Sequence, residues 1–427
     1  MEHMRHQVST LIGKGVQSIA RLRGGGSALP GLIIEKIDPE FVARTLLPLP
    51  RGVVIVSGTN GKTTTTKMVV ALLESQGLRV FTNPTGSNFI RGVAAALIDT
   101  IDSSGKLAAD IAVLELDEAH AVHFAKNVPP RYSLFLNVMR DQLDRFGEID
   151  YTANLLHTVA QATTDSIVVN RDDPRLVSQK FRDDIIASIA TYGVSEELKL
   201  QFPSDDSLRG SDSVTRVEYL REDDVELQHV NGADISLAYS GATHDVSLRL
   251  KGVYNMQNAA GAVALTRAIM HDQLDEQSML TSLSVVSPAF GRGEEIIVNG
   301  TPCELVLVKN PAGFRLSLAS FDASDYATMI AINDDYADGR DMSWLWDVDF
   351  DSLDNVAMVS GIRGYDMALR LQYDEIPIDE VETDLATAIH HFLSTQKSVS
   401  KRIFCTYTAM LAIRKELSAY GKVDRVL

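Results

Sequence analysis

The stretch VVIVSGTNGKTTTTKMVV at residues 53–70 leaves few folds open. Val53, Val54, Ile55 and Val56 form the β-branched run of a strand buried on both faces of a parallel sheet. Gly58 and Gly61 bracket a turn in which successive backbone N–H groups point inward, Lys62 adds a point charge, and the Thr63 hydroxyl suits Mg²⁺. The helix that follows presents its positive end to the same spot. Gly58-Thr59-Asn60-Gly61-Lys62-Thr63-Thr64 is a tighter variant of G-x-x-x-x-G-K-[ST], with Val56 where the pattern has its first glycine. An ordinary strand-to-helix turn with a solvated lysine is the bland alternative. The complete strand, loop and helix context favours a phosphate site, with ATP as the expected ligand.

At 427 residues the chain is too long for one ordinary core, so two or three domains are expected. A net charge of −17 argues against a nucleic-acid surface. Cys303 and Cys405 are the only cysteines, too few and too far apart for a metal cluster or a disulfide framework, and read as buried small hydrophobes of a reducing compartment. Neither a membrane span nor a signal peptide is legible, so a cytoplasmic protein is expected. The first thirty residues run against the acidic balance, with Arg5, Lys14, Arg21 and Arg23 against Glu2. Leu11, Ile12, Val16, Ile19 and Leu22 recur there at near-helical spacing, which fits a helix packed on the main domain or a peripheral contact with the inner membrane face.

From Val53 onward strands and helices alternate, the pattern of an α/β fold with a parallel sheet covered on both faces. Strands are expected at 79–82, in IAVLELDEAH, in YSLFLNVM and in SIVVN. Glu115, Asp117 and Glu118 cluster at the carboxyl end of the second of these, where open α/β sheets bind ligands. Between about 196 and 245 the sequence turns polar and acidic with short alternating runs, read as an inserted β-rich flap with its own small core. The helical pattern resumes at YNMQNAAGAVALTRAIM, and a second alternation begins after FGRGEE, with helices expected from Ala312, Tyr365 and Glu380. The expected division is 1–50, a basic leader and helix; 51–296, the ATP-binding central domain with its insertion; and 297–427, a smaller C-terminal α/β domain.

Three separated strings, GTNGKTT at 58–64, VYNMQNAAGA at 253–262 and FGRGE at 290–294, together with VNRDDP at 169–174, resemble the Mur ligase superfamily of ATP-dependent amide-forming enzymes of cell-wall synthesis. The resemblance implies that the loop holds the ATP phosphates, that Asn255 and Asn258 lie near the adenine, and that Arg292 reaches the phosphates. RDQLDRFGEID at 140–150, VKNPAGF at 308–314 and DYADGRDMSWLWD at 335–347 are more specifically similar to the MurT family, whose members work with a GatD-like glutaminase subunit on lipid II. That resemblance covers nearly the whole chain outside 196–245.

Where amino-acid-adding members of the superfamily carry a metal-holding histidine, this chain has Gln142, and no lysine occurs between Lys126 and Lys180 to be carbamylated. Lys309 replaces the histidine of a C-terminal signature. All three departures point away from a second amino acid and toward a small amine such as ammonia. Many MurT members also carry four cysteines of a zinc ribbon in the insertion; here that segment has none, and only His229 and His244 could ligate, so no zinc ribbon is expected.

Amide formation from a carboxylate requires the oxygen to become a leaving group, and phosphoryl transfer from ATP makes it one. That transfer needs a phosphate cradle, Mg²⁺ and cations, which Lys62, Thr63 and Arg292 are expected to supply. Glu115 is expected to hold Mg²⁺ directly or through water, with Asp117 and Glu118 as alternatives. Asp341 follows a glycine turn beside Trp344 and Trp346, the only tryptophans. Its bland reading is a helix-terminal carboxylate; the family resemblance implies an aspartate that orients the histidine of the partner's cysteine–histidine pair. The implied activity is amidation of the D-glutamate α-carboxylate of lipid II to D-isoglutamine. A folylpolyglutamate-type or Mur-type amino-acid ligase, or a nucleotide-binding scaffold for a glutaminase, remains the alternative.

Overall fold

A computed structural model of the chain describes residues 9–17, 28–83, 89–139, 149–202, 221–288, 292–320, 326–395 and 399–421. The buried run at 53–57 is the hub of a nine-stranded sheet. Its strands are β1 (Val53–Ser57), β2 (Val80–Thr82), β3 (Ile111–Glu115), β4 (Tyr132–Phe135), β5 (Ser166–Asn170), β6 (Ser188–Val194), β7 (Val225–Asn231), β8 (Asp234–Tyr239) and β9 (Ala242–Ser247). Their order is β2-β3-β1-β4-β5-β6-β7-β8-β9, parallel from β2 to β7 and antiparallel beyond. Chain direction across the sheet reverses between β3 and β4, which flank β1, so their carboxyl ends open a crevice at β1.

β1 is buried at every position because both faces are covered. Val54 and Val56 point into a core shared with helices Lys62–Ser75, Val253–Met270 and Glu276–Val285, while Val53 and Ile55 join Phe41, Leu97, Phe124 and Leu156 on the other face. Met68, Leu72 and Leu73 of the first helix are fully buried, each stabilising by roughly 1.5–3 kcal/mol. Gly261 of the NAAGA string lets the helix approach Tyr192 closely, since a Cβ there would lie 3.0 Å from the ring and force it to shift.

The expected flap is part of the sheet. β7 pairs with β6, β8 and β9 continue as a meander, and Val225, Leu227, Ile235, Leu237 and Val246 belong to the same core as Val54 and Leu134. The polarity read as an independent module is the outward half of a period-two alternation on strands with one wet face; residues 203–220 lie outside the described residues.

The second sheet contains β10 (Arg292–Val298), β11 (Thr301–Leu307), β12 (Tyr326–Ala331), β13 (Met358–Ser360), β14 (Val381–Glu382) and β15 (Ser400–Cys405), in the order β10-β11-β15-β12-β13-β14. The boundary expected at 296 falls inside β10, which pairs with β11. The helix expected from Glu380 is displaced: Val381–Glu382 is an edge strand, and Asp384 caps a helix over Leu385–Ser394 by accepting from Thr387 N. The two sheets are joined through Lys251, whose Nζ donates to Glu304 Oε1 (2.5 Å) and Glu295 Oε2 (3.1 Å). Arg402 fixes buried Glu304 from its other side.

Residues 9–17 form a helix that packs on the central domain: a Cβ on Gly13 would meet Ile98 and Ile34 at 3.1–3.2 Å, and Lys14 Nζ donates to Ile101 O. Arg5, Arg21 and Arg23 lie outside the described residues. No described helix is long and apolar enough to cross a membrane.

Candidate active site

The loop after β1 curls as its glycines require. Gly58 and Gly61 have φ of 132° and 89°, and a Cβ on Gly61 would strike the Asn258 side chain at 2.7 Å, so glycine is obligatory there. Lys62 opens the helix, is buried, and donates from Nζ to Gly58 O (2.6 Å) and Thr59 O (3.4 Å). Its ammonium also lies 3.8 Å from Glu118 Oε1. Burial pushes the Glu118 carboxyl up, against the pull of Lys62 and Lys309. Thr64 is buried within the first turn.

Thr63 Oγ1 donates to Glu115 Oε1 at 2.8 Å, both residues buried. The sequence expectation paired these two, and the structure brings them together. A hydroxyl and a carboxylate side by side at the mouth of a glycine-bracketed loop are the kind of hard oxygen donors Mg²⁺ takes. Asp117 stands instead at the start of helix Glu118–Asn127.

Four positioning residues escaped the sequence reading. Asn83 locks the Glu115 backbone, its Oδ1 accepting from Glu115 N (3.0 Å) and its Nδ2 donating to Glu115 O (2.9 Å). Asn137 Oδ1 accepts from Asn60 N (2.8 Å), its Nδ2 donates to Asn60 O (3.1 Å), and its carbonyl accepts from Thr59 N (3.0 Å). Asn310 and Asn60 exchange side-chain amide bonds of 3.0 and 3.3 Å, joining the loop to the C-terminal domain. Asp173 accepts from the N–H groups of Val138, Arg175 and Leu176, yet complete burial outweighs them and lifts its carboxyl to about 6. One signal was available: Asn83, Asn137 and Asn310 each stand one or a few residues past the end of an apolar strand.

A cleft between the domains is lined by Asn60, Gly61, Asn137, Tyr254, Asn258 and Lys309, among others. It adjoins a second pocket at Asn170, Asp172, Asp173 and Gln257. Asn258 therefore walls the cleft beside the loop, whereas Asn255, fully buried, turns its Nδ2 back onto Lys251 O (2.7 Å) and is not among the lining residues. Arg292 begins β10 at an irregular pairing with β11, and its side chain, like residues 84–88 and 140–148 with Gln142, lies outside the described residues.

Asp341 is absent from both pockets. It is exposed on the C-terminal domain, accepts from Ser343 N (2.9 Å), and has its carboxyl held below the usual range by Ser343. Trp344 is a core residue against Phe314, and Trp346 lies at the surface against Tyr373.

Two family models match: the Mur ligase middle domain over residues 56–266 and the MurT ligase C-terminal domain over 307–410. The chain is 28% identical to the Streptococcus pneumoniae protein named lipid II isoglutaminyl synthase (glutamine-hydrolyzing) subunit MurT, over 98% of both chains. It is 27% identical to the Staphylococcus aureus protein of the same name, over 97% of this chain and 98% of that one. Its fold matches MurF ligase from Thermotoga maritima, solved in complex with ADP, with a TM-score of 0.66 and 17% identity over 91% of this chain and 84% of that one. With the glycine-bracketed loop and the Thr63–Glu115 pair in place, the chain belongs to the Mur ligase superfamily and, within it, to the MurT family.

Proposed function

We propose that this chain is the ligase subunit of a lipid II isoglutaminyl synthase, converting the α-carboxylate of D-glutamate in lipid II to an amide at the expense of ATP. The observation that carries the reading is the Thr63–Glu115 pair beside Lys62, set in a chain that matches a named MurT subunit from end to end. A substrate carboxylate oxygen attacks the γ-phosphorus, ADP leaves, and an acyl phosphate forms. Ammonia then adds at the carbonyl carbon, a proton is lost, and phosphate departs with its bonding pair. Lys62 and the loop N–H groups neutralise the phosphates, and Arg292 is assigned there from family position. Thr63 and Glu115 would hold Mg²⁺, which supplies charge neutralisation across the phosphates. Asn258 and the adjoining pocket would receive the rest of the nucleotide.

Ammonia comes, in this reading, from a GatD-like glutaminase subunit on the C-terminal domain, with Asp341 orienting that subunit's catalytic histidine, and the complex works at the cytoplasmic face of the membrane. The test is to incubate the purified chain with lipid II, ATP and an ammonium salt. ADP release tied to conversion of one carboxylate to an amide is expected. ADP release only with an added amino acid would make the chain an amino-acid ligase, and no lipid-dependent ADP release would overturn the assignment.

A further inference from the structure

Charge is divided unevenly along this chain. Residues 1–51 hold seven lysines and arginines against four carboxylates, a net +3, so the total of −17 leaves −20 for residues 52–427. An anionic surface repels most of the molecule and attracts this end of it. The described part of that end is a helical layer, made of the helix over 9–17, Ala28–Ile37 and Phe41–Leu46, laid over helix Ile90–Thr100 of the central domain. Its seating is close. A Cβ on Gly31 would lie 1.9 Å from Arg91 O, and Gly13 stands against Ile98 and Ile34. Ile34, Phe41 and Leu46 fill the inward side and are fully buried.

The outward positions are apolar too. Leu11, Leu29 and Leu47 are 62%, 48% and 55% exposed, and Ile12 and Ile37 are open to solvent as well, where a water-facing helix side ordinarily carries polar residues. Phe89, just before helix Ile90–Thr100, adds a sixth exposed side chain. Exposed apolar residues scattered singly mean nothing, but six on one layer mark a contact. The set is five aliphatic side chains and one phenylalanine, without the tyrosine and tryptophan that anchor protein–protein contacts. Leucine and isoleucine on a positively charged end are what an anionic bilayer takes up. The layer also stands close to the candidate site: the Phe89 ring meets His120 edge-on at 4.5 Å, and His120 lies in the first turn of helix Glu118–Asn127, which starts beside Lys62. A chain of direct contacts therefore links the layer to the edge where the reaction is proposed.

We infer that this N-terminal helical layer seats the chain on an anionic phospholipid bilayer, its leucines and isoleucines entering the boundary between headgroups and acyl chains and its net positive charge drawing it to the lipid phosphates. The purpose of the contact rests on the ligase-subunit reading, since lipid II carries its carboxylate at a bilayer; the contact itself is measured without substrate. The test sediments the purified full chain with vesicles of phosphatidylglycerol and, separately, of phosphatidylcholine, neither containing lipid II. Binding to phosphatidylglycerol should be about tenfold tighter or more and should weaken as salt rises from about 0.05 to about 0.5 M. Leu11→Ser with Ile12→Ser, and Leu29→Ser alone, all at exposed positions, should lower partitioning by about tenfold and about threefold. The paired variant should also slow amidation of lipid II embedded in phosphatidylglycerol vesicles while leaving amidation of lipid II in a neutral detergent unchanged. No binding to phosphatidylglycerol, or binding that neither variant moves, overturns the contact, and equal binding to the two lipids overturns its electrostatic half. Equal loss in vesicles and in detergent would place Leu11 and Ile12 in the fold and overturn the contact too. Vesicle binding without lipid-dependent ADP release overturns the ligase reading and leaves the contact standing. A homodimer dissolved by the paired variant assigns the layer to a second copy instead.

Discussion

The carboxyl edges of the two sheets use the same carpentry for different ends. In the central sheet, Asn83 and Asn137 follow β2 and β4 and tie the exiting chain to its neighbours. In the C-terminal sheet, Asn333 follows β12 in the same manner: its Oδ1 accepts from Ile362 N and its Nδ2 donates to Thr408 Oγ1. What the amides enclose differs. The central edge surrounds a glycine-bracketed loop with Lys62, Glu115 and Glu118 buried in it. The C-terminal edge surrounds Thr406, Thr408 and Asp338, where the Asp338 carboxylate is taken up by the Thr408 N–H and hydroxyl. A strand-end amide is thus a framing device common to both sheets, and the phosphate assignment proposed for the central edge rests on the loop that brings backbone donors and a lysine into the frame.

The comparison breaks most sharply at Lys62. Lys62→Ala should lower ATP-dependent amidation by about 10³-fold or more, measured on protein that circular dichroism shows to be folded; turnover near that of the unaltered chain would remove the central edge from the chemistry. Asp341→Asn, in the complex with the glutaminase, should cut glutamine-driven amidation by about 10²-fold or more and leave ammonium-driven amidation intact. Equal failure with glutamine and ammonium would move Asp341 into the ligase site or the fold.

Paired substitutions sharpen the contrast. Asn83→Ala strips partners from the buried Glu115 backbone and should cost about 1–3 kcal/mol in denaturant unfolding, whereas Asn333→Ala strips the part-buried Ile362 N–H and the Thr408 hydroxyl and should cost about 0.5–1.5 kcal/mol. Asn83→Ala alone should lower kcat in the ammonium-driven reaction, by about tenfold, through misplacement of Glu115; equal kcat values for the two would erase the distinction. A further contrast is a pH dependence at Asp173. Its folded carboxyl titrates at about 6 against 3.8 for the free side chain, so the folded state holds its proton more tightly. The resulting stability, at most about 3 kcal/mol, is full below about pH 4 and lost as pH rises through about 6. Asp173→Asn should flatten that part of a melting-temperature scan, and a scan unchanged by the substitution would count against the shift.

What the sequence could disclose follows from range. Residues 53–64 reveal loop, lysine and hydroxyl because the whole device is contiguous, and Glu115 was legible as an acid ending an apolar strand. Asn310 was not, because its partner Asn60 lies 250 residues away and no local pattern pairs them. The meander β7–β9 was read as a separate flap because alternation along a strand announces one wet face without saying which sheet the strand extends. Trp344 and Trp346 sat in one string, yet a two-residue offset on a tight helix sent one inward and the other out. Asn255 and Asn258, three apart on one helix, parted in the same way.

The exchange of amide bonds between Asn60 and Asn310 has a thermodynamic corollary. Asn60 belongs to the turn proposed above to receive phosphates, and Asn310 Oδ1 also accepts from Gly313 N at the start of helix Pro311–Ser320. Occupancy of the turn and the seating of the second domain thus draw on one side chain. By reciprocity, whatever factor the domain contact applies to nucleotide affinity, the nucleotide applies to the domain contact. A protein bound far out on the second domain would then be felt at the turn as a change in grip, and each round of ATP hydrolysis would be felt in return as a change in hold on that protein.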